Sequence, residues 1–235
     1  AALHVAANGE GLRERPALTN VYQGPGYGDD FIESRLRAAD LPYRRPTDPD
    51  RDVARDLHQG KIVGRYAEHA EWGPRALGNR SILARPTDKK INAELNNRLR
   101  RTEFMPFAPA ILAEYAGDYL VGYRDGDLAA RYMTVTYEIC AAKKNADIAA
   151  AVHADGTARP QVVHREDNPR LHELIAAYHR LSGIPALVNT SFNMHEEPMV
   201  TAPDDAIRAF RVGAVDILYI GPFIVDRLYE GRHAE

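Results

Sequence analysis

A chain of 235 residues, 45% of them hydrophobic, is long enough to bury one large core or two small ones. Its net charge of −3 argues against broad nucleic-acid binding, which usually requires a basic domain. The single cysteine, Cys140, excludes an internal disulfide framework, and no apolar run approaches the roughly 20 residues that span a bilayer. No signal peptide is visible either, so we expect a cytoplasmic protein.

Hydrophobic periodicity and capping residues predict alternating strands and helices, which indicates an α/β domain with a mixed sheet. The clearest helix is bracketed by Asn168 as its cap, Pro169 in its first turn and Gly183 after its end. The predicted helices cover residues 29–39, 50–59, 87 or 88 to 101, 169–182 and 201–211. The predicted strands cover residues 18–22, 61–67, 107–112, 132–139, 186–189, 216–220 and 223–226.

The chain begins at Ala1 rather than at a methionine, so we interpret residues 1–18 as the remnant of an upstream domain or lead segment. Residues 19–235 are expected to form one compact domain. We expect most of the upstream domain to lie outside this sequence.

The most informative segment is residues 71–83, EWGPRALGNRSIL, which follows the strand predicted at 61–67. Its glycines let the backbone approach a ligand, and Arg75 and Arg80 offer forks of donors that fit phosphate oxygens. The alternative is an ordinary turn whose arginines pair with local acids. Between residues 75 and 101, however, eight Lys or Arg accompany only two acids, which favours a site for a small anion.

A second basic element lies at the end of the helix predicted to reach residue 101. Arg98 and Arg101 fall beside its apolar stripe and could aim their heads into a cleft, whereas Arg100 points away. The alternative is ordinary surface charge near a helix C-terminus, which the helix dipole favours.

Polar residues follow the strand predicted at 186–189, at the end where open α/β sheets place ligands. Asn189, Ser191 and Asn193 supply hydroxyl and amide groups that can hold phosphate oxygens and a carbonyl, although an Asn/Ser turn would look the same. Glu197 could bind a ribose hydroxyl, another polar group or Mg²⁺. Because no Cys/His cluster has metal-ligand spacing, we expect no metal site built by the chain itself.

Three blocks of sequence carry a resemblance that covers about residues 19–226: EWGPRALGNRSIL, INAELNNRLRRTEFMPFAPAIL and PALVNTSFNMHEEPMV. In this order they resemble the C-terminal, YrdC-like domain of the NodU/TobZ-type O-carbamoyltransferases. The resemblance implies a mixed twisted sheet flanked by helices, similar to the threonylcarbamoyl-adenylate synthase fold. It also implies a biosynthetic enzyme domain that joins carbamoyl phosphate and ATP into carbamoyl-adenylate, for an upstream acceptor-binding domain to pass to a hydroxyl.

The same resemblance assigns roles to the candidate residues, with arginines clamping phosphates and with Ser191 and Asn193 orienting the carbamoyl group and the α-phosphate. Mg²⁺ is the expected companion of the triphosphate. The predicted catalytic residues are Arg75, Arg98, Arg101, Ser191 and Asn193. The residues predicted to bind the nucleotide are Arg75, Asn79, Arg80, Ser81, Arg98, Arg100, Arg101, Asn189, Ser191, Asn193 and Glu197.

The chain departs from its relatives in one respect. Many of them use a lysine in the basic stretch, and this chain has none between Lys90 and Lys143, so Arg98 or Arg100 must replace it if a lysine is essential to the phosphate site. Arginine binds as a planar fork and lysine as a point charge, so the replacement changes the geometry of the contact.

Two other functions stay open. A threonylcarbamoyl-adenylate synthase in tRNA modification would use threonine and bicarbonate. A non-catalytic nucleotide- or RNA-binding module would bind without turnover. The sequence does not identify the carbamoyl acceptor, and it leaves a homodimer open.

Overall fold

Strands form the centre of the computed structural model, which describes residues 20–101, 107–144 and 146–227. They are β1 (Val63–Tyr66), β2 (Arg80–Ala84), β3 (Ala108–Leu112), β4 (Tyr137–Glu138), β5 (Thr157–Ala158), β6 (Gln161–Val163), β7 (Ala186–Ser191), β8 (Ile217–Ile220) and β9 (Phe223–Asp226). Seven of them form one sheet in the order β6-β3-β7-β2-β1-β8-β9, and β4 pairs with β5 separately. The sheet is mixed, because β1–β8 and β3–β6 are parallel whereas its other pairs are antiparallel.

Helices connect these strands. They are α1 (Asp29–Ala38), α2 (Pro49–His58), α3 (Lys90–Arg98), α4 (Ala116–Tyr119), α5 (Leu128–Arg131), α6 (Ala141–Lys144), α7 (Pro169–Ser182) and α8 (Pro203–Arg211), with short 3₁₀ turns at Ala113–Tyr115 and Ala149–Ala151. The longest, α7, has the predicted ends. The Asn168 side chain accepts a hydrogen bond from the Leu171 backbone N–H, and Gly183 takes the left-handed conformation that ends the helix.

The sheet separates two apolar layers, because successive residues of a strand point to opposite faces. On β2, Ile82 packs with side chains of α1, α3 and α8. The next residue, Leu83, packs with side chains of α2 and α7. The predicted fold class, a mixed sheet flanked by helices, is confirmed.

Most predicted elements are confirmed to within two residues. These are the helices predicted at 29–39, 50–59, 169–182 and 201–211 and the strands predicted at 61–67, 107–112, 186–189, 216–220 and 223–226. The helix predicted to reach residue 101 ends earlier, at Arg98, because Arg100 takes a positive φ of 57° and turns the chain.

Two predicted strands are wrong, and three strands were missed, namely β2, β6 and the two-residue β5. Residues 132–139 contain only the two-residue β4, because Asp127 caps the short helix α5 and Met133 then turns the chain at a φ of 55°. Residues 20–22, the described part of the strand predicted at 18–22, form no strand. β2 and β6 were not predicted, because both are buried along their whole length and lack an alternating pattern.

Register brings several strand ends to one edge of the sheet. Ser81 at the start of β2 lies opposite both Arg65 of β1 and Ser191 at the end of β7. Asn189 of β7 lies opposite Ala108 at the start of β3. The three blocks of sequence singled out above therefore meet at this edge.

The domain boundary proposed at residue 18 falls within residues 1–19 and stays a prediction, because those residues lie outside the described part of the chain. Among the described helices, none combines the length and the hydropathy that a membrane span requires.

Candidate active site

The loop between β1 and β2 folds around a carboxylate of the protein itself. Glu71 is buried, and its Oε1 accepts hydrogen bonds from the backbone N–H groups of Leu77 (2.7 Å), Asn79 (2.7 Å) and Arg80 (3.2 Å). A glycine-rich loop with converging N–H groups is a common anion site, and here the anion is a side chain. These N–H groups are occupied, so binding of an external anion falls to side chains.

Arg65 and α7 both contact this loop and hold it in place. The Arg65 side chain is fully buried, and its Nη1 donates to the Gly78 carbonyl (2.5 Å) and to Asn79 Oδ1 (2.9 Å). Gly78 has a φ of 115°, and a Cβ there would lie 2.4 Å from Cδ2 of Leu171 on α7. Only glycine fits that position, so the loop is packed closely onto the helix.

Three residues predicted to bind the nucleotide belong to this support. Asn79 joins the loop to α7, because its Oδ1 also accepts from Asn168 Nδ2 at 2.9 Å. Arg80 is fully buried, stacks 3.7 Å over the Tyr66 ring and donates to backbone carbonyls, including that of Ala67 at 2.6 Å. The Ser81 hydroxyl accepts from Gly78 N at 2.9 Å. Asn79, Arg80 and Ser81 line neither of the two cavities near this loop. Their contact with a ligand stays a prediction that these positions do not favour.

Residues 74–76 of the loop help to line a cavity of about 70 Å³, and residues of all three sequence blocks contribute to its lining. Four predicted residues line it: Arg75 from the loop, Arg101 after α3, and Asn189 and Ser191 from β7. The Arg101 guanidinium lies 5.6 Å from the Phe107 ring, and its Nη2 lies 3.5 Å from Thr190 Oγ1. The cavity therefore combines cationic heads with the polar end of a strand.

Arg159, a residue that the sequence did not indicate, completes the cavity lining. It lies between β5 and β6, within a Gly-containing segment that reads locally as a surface turn, so no local signal could have found it. Within residues 20–101, 107–144 and 146–227, no carboxylate lines this cavity or pairs with Arg75, Arg101 or Arg159. The described part of this cavity therefore carries positive charge and no negative charge.

Burial disfavours the charged form of two of these arginines, Arg101 and Arg159. It lowers the pKa of Arg101, and burial together with the nearby charge of Arg75 lowers the pKa of Arg159. Arginine nevertheless stays protonated at neutral pH. Like charges held close together and partly buried destabilise the unliganded protein, and such clusters are typical of functional sites. A bound anion would balance the positive charge here.

The turn after β7 fixes the direction of the Ser191 hydroxyl. Ser191 Oγ donates to Asn193 Oδ1 at 2.6 Å, and Asn193 Nδ2 donates to the carbonyls of Met194 (3.1 Å) and Glu197 (2.8 Å). Asn189 Nδ2 donates to Gln161 Oε1 at 2.8 Å, while Asn189 Oδ1 is buried without a hydrogen-bond partner. Ser191 lines the cavity, and Asn193 acts on it through Ser191.

The remaining predicted residues lie elsewhere. Arg98 forms ion pairs with Glu94 (2.5 Å) and with Asp216 (2.6 Å), which precedes β8. Arg100 is exposed at the turn after α3. Glu197 pairs with Arg208 through both carboxylate oxygens, and these hydrogen bonds lower its pKa. The structure does not bring Arg98, Arg100 or Glu197 to the cavity, because each already has another partner or faces solvent.

A second cavity of about 410 Å³ adjoins the first and shares Arg75 and Arg159 with it. Aromatic and aliphatic side chains form much of its wall, including Trp72 and Tyr132. Among the described residues, no group of three or more His, Cys, Asp or Glu is arranged to hold a metal ion.

The sequence is similar to those of known nodulation proteins. The nodulation protein NolO of Bradyrhizobium diazoefficiens is 36% identical over 217 residues, which cover 91% of this chain and 39% of that protein. Nodulation protein U of Rhizobium tropici is 35% identical over 202 residues, covering 86% of this chain and 32% of its own length. The chain thus spans about two fifths or less of these relatives.

The fold has solved counterparts. A crystal structure of full-length HypF in its phosphate- and nucleotide-bound form aligns with a TM-score of 0.52 at 19% identity, covering 73% of this chain and 24% of that one. HypF of T. kodakarensis aligns with a TM-score of 0.50 at 17% identity. These neighbours show the YrdC-like fold that the sequence predicted. The family model described as "Carbamoyltransferase C-terminus" matches residues 54–227, and the chain belongs to that family.

Proposed function

We propose that this chain is the carbamoyl-adenylate-forming domain of an ATP-dependent O-carbamoyltransferase. One observation carries the proposal: Arg75, Arg101 and Arg159, which pair with no carboxylate among the described residues, line a small cavity together with Ser191. ATP and carbamoyl phosphate are polyanions whose oxygens match such forks of donors. An upstream domain would then pass the carbamoyl group to a hydroxyl acceptor of the sugar or natural-product class, in the cytoplasm.

The reaction we propose needs positioning more than covalent chemistry. Carbamoyl phosphate is hydrolysed to carbamate and phosphate, and a carbamate oxygen then attacks the α-phosphorus of ATP. The bond from the α-phosphorus to the bridging oxygen breaks, and pyrophosphate leaves. Arg75, Arg101 and Arg159 would neutralise the charge on the phosphate oxygens, which is the main contribution of a protein to this class of reaction. The Ser191 hydroxyl would orient the carbamoyl group.

This scheme assigns a role to one arginine of the basic stretch and leaves Mg²⁺ to be bound by the triphosphate. Arg101 lines the cavity whereas Arg98 is paired elsewhere, so we propose that Arg101 takes the place of the lysine found in relatives. No carboxylate among the described residues lines either cavity, so the described chain offers Mg²⁺ no ligand of its own. Mg²⁺ would enter bound to the triphosphate and to water.

The proposal is tested by incubating the chain with ATP, carbamoyl phosphate and Mg²⁺. We expect pyrophosphate release that depends on carbamoyl phosphate, together with a product of the mass of carbamoyl-adenylate. Product formation with threonine and bicarbonate instead would identify a threonylcarbamoyl-adenylate synthase. ATP binding without pyrophosphate release under either condition would contradict the enzymatic function and favour a binding module.

Asn193 provides a test of how Ser191 is positioned. We expect Asn193→Ala to slow carbamoyl-adenylate formation by roughly 100-fold, the usual effect of removing one preorganised polar group. The change removes the acceptor of the Ser191 hydroxyl and leaves the core intact. In pyrophosphate-release assays, Ser191→Ala should give a similar loss, and the double variant should be little slower than either single one. Multiplicative losses in the double variant would show that the two residues act independently.

A further inference from the structure

Trp72 is an exposed aromatic residue on a fixed loop. It is the only tryptophan of the chain, and 78% of it is exposed, more than any other large apolar residue of the described chain. Its backbone is nevertheless held, because its N–H donates to the Val21 carbonyl at 2.7 Å and its neighbour Glu71 anchors the loop. A large aromatic surface is thus presented to solvent by a rigid support, which is typical of ligand-binding platforms.

The two cavities differ in size and in chemistry. The smaller one, about 70 Å³, has room for a phosphate or carbamoyl group but not for a nucleoside. The larger one, about 410 Å³, lies in the size range of small-molecule sites, and Trp72 and Tyr132 contribute to its wall. Burial raises the pKa of Tyr132, whose hydroxyl is protonated at neutral pH as that of an ordinary tyrosine is.

The two cavities share part of their walls. Pro74, Arg75, Met133 and Arg159 line both of them. A ligand with its anionic part between Arg75 and Arg159 therefore has its remaining part directed either towards Ser191 or towards Trp72. An asymmetric ligand with a charged middle and a planar aromatic end fits both cavities at once.

We propose that the larger cavity is the nucleoside subsite of the bound nucleotide, with the purine base stacked on Trp72 and with Tyr132 completing the wall. The α-phosphate would lie at the shared wall formed by Arg75 and Arg159, and the carbamoyl group would lie in the smaller cavity. This assignment rests on the proposed function, since it divides ATP between the two cavities. Every base has a π-face, so stacking supplies affinity for the base in addition to the phosphate contacts.

The experiment compares two ligands that share the phosphates and differ in the nucleoside. Affinities of the wild-type chain and of Trp72→Ala are measured by calorimetry for ATP and for inorganic tripolyphosphate. We expect Trp72→Ala to weaken ATP binding by roughly tenfold to 100-fold, as base–aromatic stacking elsewhere does, and to leave tripolyphosphate binding unchanged. Trp72→Phe should retain most of the ATP affinity. Phe31→Ala removes another exposed aromatic residue, one that stacks on Tyr27, and should change neither affinity.

Fluorescence gives an independent readout, because Trp72 is the sole tryptophan. ATP should quench its emission, whereas tripolyphosphate should not. An unchanged ATP affinity in Trp72→Ala, or equal losses for both ligands, would overturn the subsite while leaving the proposed function standing; the first result would fit a surface covered by another domain. Failure of the wild-type chain to bind ATP would instead overturn the proposed function, and the subsite with it.

Discussion

Replacing Arg159 with glutamine is expected to weaken binding of ATP and of carbamoyl phosphate by about tenfold to 100-fold without lowering the stability of the unliganded chain. The loss follows from removing one charge-assisted hydrogen bond, which contributes about 1.5–3 kcal/mol. Stability is spared because no carboxylate among the described residues pairs with Arg159, and its pKa is lowered by burial and by Arg75. The variant removes a charge that no described carboxylate stabilises and that a bound anion would stabilise.

Arg98→Gln is the control, because Arg98 was predicted from the sequence to bind phosphate and yet lies outside the cavity. Its two ion pairs, to Glu94 and Asp216, support α3 and the start of β8. We expect unchanged ligand affinity and a free energy of unfolding lower by up to about 1 kcal/mol. Calorimetry and urea unfolding of both variants decide the matter. If Arg98→Gln lost affinity and Arg159→Gln did not, the cavity would be wrongly assigned.

The behaviour of Arg98 and Arg101 shows how far the sequence could locate the site. A helix continuing to residue 101 would place both on one side, at a spacing of three residues. The helix ends at Arg98 and Arg100 adopts a positive φ, so Arg101 leaves the helical phase and enters the cavity. The end of the helix at Arg98 and the turn at Arg100 therefore determine which arginine lines the cavity. The end of a helix is the feature that a sequence pattern defines least well.

Arg159 and Arg80 show a second limit on locating the site from the sequence. Arg159 is far from Arg75 and Arg101 in sequence and joins them only because β6, β3 and β7 are neighbours in the sheet. Arg80 looks like a ligand residue because it lies in a glycine-rich basic segment, yet its Nη atoms donate to backbone carbonyls and its guanidinium stacks on the Tyr66 ring. By contrast, Asn189 and Ser191 lie at the end of a strand that the apolar pattern predicts, and Arg75 lies in the glycine-rich segment that follows another predicted strand. Local patterns identify such positions, and strand order supplies the rest.

Glu71 leads to the prediction with the largest expected effect on stability. Glu71→Ala is expected to lower the free energy of unfolding by at least about 3 kcal/mol, because three buried backbone N–H groups lose their acceptor and each unsatisfied group costs about 1–3 kcal/mol. The loop that carries Arg75 would lose its anchor, so ATP affinity should fall as well. Urea unfolding measures the first effect and calorimetry the second.

Glu71→Gln removes the negative charge of this side chain but keeps an oxygen that can accept hydrogen bonds. The amide oxygen can still accept from Leu77, Asn79 and Arg80, but neutral hydrogen bonds are about half as strong as charge-assisted ones. The new amide N–H₂ would replace Oε2, a buried atom without a hydrogen-bond partner, and would itself find no acceptor. We therefore expect Gln to be destabilising but less so than Ala, with slow amide hydrogen exchange at Leu77 and Asn79 retained in Gln and lost in Ala. Equal stability of Glu71→Ala and the wild type would show that the loop keeps its shape without this carboxylate, and Arg75 would then be positioned by Arg65 and α7 alone.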